Sequence, residues 1–200
     1  MKDKLIIIHG ANALSSNNKH LQKLISFMYK YICNFIPEYN LKNPWVNVFS
    51  KSKYDIIELK WSGRIIPYDV SKTSKKLSEL INLNPNENYF FLTESIGAEI
   101  AFSAIEKSNA KNIKKVISIC PVNKPRNIKH FSAILLKSKS DIFAKFSNKV
   151  LWPLHFFKSM TGNIKDICLE RIRHDQFVPS YKINKNQTLL ELIENKMNGL

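Results

Sequence analysis

The chain has 200 residues, 44% hydrophobic and 11% aromatic, enough to bury one substantial core, and it reads as one domain over residues 1–200. Its formal charge is +15, but among 31 basic residues only Arg64, Arg126, Arg171 and Arg173 are arginines, and no nucleic-acid-binding module is present. No specific nucleic acid is therefore expected as a partner, and the charge leaves room for weak association with anionic surfaces or polyanions.

The first apolar run, Leu5 to Ile8, is too short for a signal-peptide core, and Lys interrupts every later run before it could span a bilayer. A soluble cytoplasmic protein is expected. Cys33, Cys120 and Cys168 are odd in number and widely spaced among apolar neighbours, so they read as buried thiols rather than disulfide partners or zinc ligands. No ligand cluster or phosphate-binding Gly loop is present, and no metal or organic cofactor is expected.

In chain order, Leu5 to Ile8 reads as a buried strand ended by His9-Gly10. Lys19 to Phe35 carries Leu21, Leu24, Ile25, Met28 and Ile32 at helical spacing, and Pro37 to Lys53 reads as a long loop or short cap. Tyr54 to Trp61 is a weaker strand followed by the turn Ser62-Gly63. Val70 to Ile81 is an amphipathic helix, Tyr89 to Thr93 a buried strand, and Ile96 to Lys107 a second amphipathic helix. Val116 to Cys120 and Phe131 to Leu136 follow as strands, the latter running through Lys137-Ser138-Lys139-Ser140 to Asp141. Ile167 to Ile172 is the last strand, ending in Arg173-His174, and a helix from Gln187 to Met197 closes the chain. This alternation predicts an α/β fold with a mostly parallel sheet covered by helices on both faces.

Chemistry concentrates around Phe90-Phe91-Leu92-Thr93-Glu94-Ser95-Ile96-Gly97-Ala98, where a strand leads into a Ser and small residues open a helix. That is the setting of a nucleophile elbow, in which a tight turn lifts the Ser hydroxyl above the sheet. The G-x-S-x-G pattern is met at Ser95 and Gly97, while Thr93 stands in place of the first Gly. Its branched β-carbon is expected to crowd the turn, so Thr93→Gly should leave activity equal or higher. Gly10 lets the chain turn back after the first strand, which offers the N–H of Ala11, or of Asn12 beside it, as one oxyanion donor. The N–H of Ile96 is the other. His9 precedes the Ser in the chain and reads as structural.

The order Ser, acid, base selects Asp141 after Phe131 to Leu136 and His174 after Ile167 to Ile172. Asp175 is the rival acid, but no His follows it to serve as base. His130 and His155 end no strand, and His20 begins a helix.

The order of His9-Gly10, Trp61-Ser62-Gly63, Thr93-Glu94-Ser95-Ile96-Gly97, Ser138-Lys139-Ser140-Asp141 and His174-Asp175 resembles compact bacterial lipase- and esterase-like serine hydrolases of the α/β-hydrolase superfamily, over nearly the whole chain. The resemblance implies a minimal form of that fold, a catalytic triad of Ser95, Asp141 and His174, and an oxyanion hole at Ala11 and Ile96. It implies cleavage of a small-molecule or lipid acyl ester or thioester through an acyl-enzyme, with no assignment of substrate-binding residues. Glu94 stands where such proteins often carry His, which puts a carboxylate beside the nucleophile. The aromatic segment 142–165, between acid and base, reads either as a small lid or cap or as helices packed on the domain, with Pro153 breaking any single long helix. The competing reading is a catalytically silent relative that uses the same pocket to bind a ligand or partner protein.

Overall fold

The structure is a computed structural model that describes residues 2–10, 43–50, 52–62, 67–108, 110–121, 127–140, 161–170, 172 and 177–199. The predicted helix from Lys19 to Phe35, most of the segment 142–165, Cys33 and the site residues Ala11, Asn12, Asp141, His174 and Asp175 lie outside the described residues.

Six strands make one sheet: β1 (Lys4–Ile8), β2 (Asp55–Glu58), β3 (Tyr89–Glu94), β4 (Ile113–Ile119), β5 (Asn127–Ser138) and β6 (Thr161–Leu169), in the order β2-β1-β3-β4-β5-β6. Every pairing is parallel. The inner strands are apolar on both faces because helices cover both. On one face α2 (Pro67–Leu83) and α3 (Gly97–Lys107) bury Leu77, Ile81, Ile100 and Ala104 against Ile6, Ile8, Phe91 and Val116. On the other, α1 (Pro44–Phe49) and α4 (Leu189–Met197) bury Trp45, Phe49, Leu189 and Ile193 against Leu5, Ile7, Leu92 and Ile117. The result is the three-layer α/β arrangement that alternating strands and helices predict.

Several boundaries differ from the sequence reading, each for a local reason. Pro44–Phe49 is helical because Asn43 caps it, its side chain accepting from the Trp45 N–H at 3.0 Å, with Pro at the first position where no N–H is needed. The closing helix begins at Leu189, not Gln187. Thr188 and Glu191 form a reciprocal capping box there, while Gln187–Thr188 (β8) pairs with Lys182–Asn184 (β7) in a small antiparallel hairpin.

The last strand of the sheet occupies Thr161–Leu169 rather than Ile167 to Ile172, so residues 161–165 belong to the sheet and not to a lid. Its register is fixed by β5, with Ser132 opposite Asn163 through Ser138 opposite Leu169, and Lys137 pairs with Asp166 at 2.7 Å. Cys168, in β6, is exposed and not buried as its apolar neighbours suggested. Cys120, at the end of central β4, is buried as expected. No helix among the described residues is long and apolar enough to cross a membrane.

Candidate active site

The strand order reverses between β1 and β3, because the chain crosses from β1 to β2 on one side and then to β3 on the other. Such a switch point opens a crevice outside the carboxyl ends of the strands, where α/β proteins bind ligands. Register puts the predicted elbow there. Ile8 lies opposite Thr93, so the two chains leave the sheet side by side, Gly10 next to Ser95. A Cβ on Gly10 would stand 3.2 Å from the Cβ of Ser95, a tight contact that a side chain would have to relieve by a few tenths of an ångström.

Ser95 sits between the end of β3 and the first turn of α3 with φ of +50°, the left-handed region that a residue with a side chain rarely enters. Its N–H donates to the Ile119 carbonyl at 2.8 Å and its carbonyl accepts from the Ala98 N–H at 3.2 Å, so both sides of the turn are tied. Ser95 is 5% exposed, and its hydroxyl has no hydrogen-bond partner among the described residues. Gly97 is dictated by contact: a Cβ there would lie 2.7 Å from the Ile8 carbonyl oxygen and 2.8 Å from that of His9. Helix α3 thus packs directly on the end of β1, as an elbow requires.

The start of α3 supplies donors. The N–H groups of Ala98, Glu99 and Ile100 go to the carbonyls of Ser95 and Ile96, and the Ile96 N–H stands outside this ladder at the positive end of the helix. His9 is structural, as the sequence suggested. Its Nδ1 lies 2.6 Å from the Gly10 carbonyl, its ring stacks on Trp61 at 5.5 Å, and the Trp61 indole donates to its carbonyl at 3.1 Å. His130 is in the amino-terminal half of β5, several residues before the level of Ser95, and so roughly 20 Å from the carboxyl edge. It is no candidate base.

Thr93 does not crowd the turn. It lies within β3, where a branched β-carbon is favoured, and the left-handed residue is Ser95, two positions on. Its hydroxyl shares a 2.8 Å hydrogen bond with Ser118 of β4, and both residues are fully buried. Removing one partner strands the other, so Thr93→Val is expected to lower stability by about 1–3 kcal/mol in urea unfolding, and adding Ser118→Ala to recover most of the loss. The same bond withdraws the expectation for Thr93→Gly, which would orphan Ser118 and leave a void.

Glu94, one residue before the nucleophile, accepts from the indole N–H of Trp45 at 2.7 Å. Sequence reasoning missed Trp45 and Ser118 as parts of this site, whereas Trp61 was already among the quoted motifs. The partners that place them are distant in the chain, and the only local signal was the Asn43-Pro44 helix start.

No protein-family model matches the chain, and no curated protein matches it in sequence. Solved structures do match in fold. An α/β hydrolase enzyme from the metagenome of sediments of the Mar Chica lagoon, Morocco, superposes with a TM-score of 0.53 at 13% identity, over 100% of this chain and 93% of that one. An α-β serine hydrolase homologue from Coxiella burnetii gives 0.52 at 11%, over 98% and 85%. A protein of unknown function from Agrobacterium tumefaciens, provisionally described as an α/β hydrolase, gives 0.51 at 15%, over 98% and 87%. The chain has the α/β-hydrolase fold in a small form.

Proposed function

We propose, taking the α/β-hydrolase fold as premise, that the protein is a serine hydrolase that cleaves carboxylic esters of small molecules or lipids through an acyl-enzyme. The observation that carries this reading is Ser95 at φ +50°, between a central parallel strand and the start of a helix, beside Gly10 at the switch point. Cys120, just past β4, also has positive φ, +46°, but of the two only Ser95 combines that conformation with a hydroxyl and a helix start.

Ser95 is the nucleophile, His174 the general base and Asp141 the carboxylate that fixes the imidazole tautomer and stabilises its cation. The Ser95 oxygen attacks the acyl carbon as its proton passes to His174. The carbonyl oxygen takes up negative charge facing the N–H groups of Ile96 and Ala11, and the alcohol leaves with the proton from His174. Water then repeats the sequence on the acyl-enzyme.

The reach of the chain supports the assignment. Glu94 is level with Ile119, Ile119 with Leu136, and Leu136 with Ile167, so β5 and β6 leave the same edge of the sheet two and three strands from β3. Those offsets are about 10 and 14 Å at the usual strand spacing. Asp141 is three residues beyond Ser138 and His174 five beyond Leu169, enough chain to span about 10 and 17 Å.

The test is labelling of the full chain by a fluorophosphonate probe, with mapping of the labelled peptide, beside hydrolysis of p-nitrophenyl esters from acetate to palmitate. Labelling at Ser95 with turnover of at least one ester is the expected result. An unlabelled chain that hydrolyses none of the esters would overturn the reading in favour of a silent binding relative.

A further inference from the structure

We propose that Trp45 and Glu94 form a positioning pair that holds the nucleophile's turn in its reactive geometry, an inference that rests on the hydrolase reading of Ser95. A left-handed serine persists only when the frames on both sides of it are held. The downstream frame is fixed by Gly97 packed on the Ile8 and His9 carbonyls and by the Ala98 N–H on the Ser95 carbonyl. The upstream frame is fixed by the Ser95 N–H on the Ile119 carbonyl and by the Glu94 carboxylate on the Trp45 indole, at 2.7 Å.

Trp45 is suited to act as the anchor. It is 0% exposed, its backbone N–H is held by Asn43, and its ring stacks on Phe49 with centroids 6.5 Å apart. Its indole cannot follow the elbow if the elbow moves. A buried indole N–H needs some acceptor, and a backbone carbonyl would serve. Here the acceptor is an ionisable side chain one residue from the nucleophile, 49 positions away in the chain, in the stronger class of hydrogen bond. With Glu94 anchored, relaxation of Ser95 toward negative φ has to displace its hydroxyl and the Ile96 N–H together. The pair opposes that displacement, and so acts on the aim of the nucleophile and of the oxyanion donor at once.

The experiment measures kcat and KM for p-nitrophenyl butyrate on the full chain carrying Trp45→Phe, Glu94→Leu, Glu94→Gln, or Trp45→Phe with Glu94→Leu. All are assayed below the unfolding transition found for each by circular dichroism. Trp45→Phe and Glu94→Leu are expected to lower kcat by about ten- to a hundredfold with KM within about twofold, the scale of a small misplacement of reacting groups. The double variant is expected to be no worse than the poorer single one, because both remove the same bond. Glu94→Gln retains an oxygen that accepts from the indole and is expected to keep kcat within about twofold of wild type.

If Trp45→Phe does not fold, the Glu94→Leu and Glu94→Gln pair decides alone. Full kcat in Glu94→Leu, or an equal fall in Glu94→Gln and Glu94→Leu, overturns the positioning pair. These outcomes are distinct from failure of the hydrolase reading, which shows in the wild type as absence of labelling and turnover.

Discussion

Ser95→Ala is expected to abolish fluorophosphonate labelling and to lower ester turnover by on the order of 10⁶, the loss seen when a triad nucleophile is removed. Stability should hardly change. The Ser95 hydroxyl has no hydrogen-bond partner among the described residues, so its deletion leaves no group there stranded, and alanine keeps the same Cβ in the same left-handed conformation.

Ser95→Gly separates the two roles of the position. It is equally inactive, but it removes the Cβ that a φ of +50° penalises, so it should unfold at a urea concentration at least as high as that of Ser95→Ala. Labelling that survives in Ser95→Ala would assign the nucleophile to another serine. A Ser95→Gly variant clearly less stable than Ser95→Ala would mean that the turn is not under strain.

The second large effect concerns the acid. Asp141→Asn is expected to lower kcat by roughly 10⁴, the scale seen when the orienting carboxylate of a triad is lost, and Asp175→Asn to lower it far less. β5 and β6 are parallel neighbours that end on the side of the sheet where Ser95 lies, so the chain after each sets out from the same rim. Asp141 follows one and His174 the other.

If Asp175 were the acid, the base would have to come from the chain beyond it, and residues 176–200 contain no histidine; residues 182–197 are taken up by the β7–β8 hairpin and α4. Of the histidines earlier in the chain, His9 is committed to Trp61 and the Gly10 carbonyl, and His130 starts in the wrong half of its strand. Steady-state kinetics of the two variants on one ester decide between the acids. A severe Asp175→Asn with a nearly silent Asp141→Asn would remove both Asp141 and His174 from the mechanism.

The sequence by itself determined the alternation of elements and the place of the elbow. Leu5 to Ile8, Tyr89 to Thr93 and Val116 to Cys120 are legible because strands buried on both faces are nearly continuous apolar runs, and the helices over Val70 to Ile81 and Ile96 to Lys107 because one buried stripe repeats every turn. Ser95 followed by Gly97 is equally local, since strand, turn and helix start are contiguous.

What only the tertiary structure decided was set by neighbours distant in the chain. The last strand could not be bounded from within: Asn163, Lys165, Asp166 and Cys168 are exposed on an edge, and their strand conformation comes from pairing with β5. Thr93 looked like an obstruction in a turn until its partner Ser118, brought alongside by the β3–β4 register, showed it to be a buried hydrogen-bonded strand residue. Glu94 was only a carboxylate beside a serine until Trp45 was seen to donate to it. Gly97 matched a pattern, but its necessity lies in the carbonyls of Ile8 and His9, nearly ninety residues earlier, against which no side chain fits. Periodicity records which face of a segment is buried, whereas hydrogen-bond partners and close contacts depend on which segment lies against it, and that is settled only when the sheet assembles.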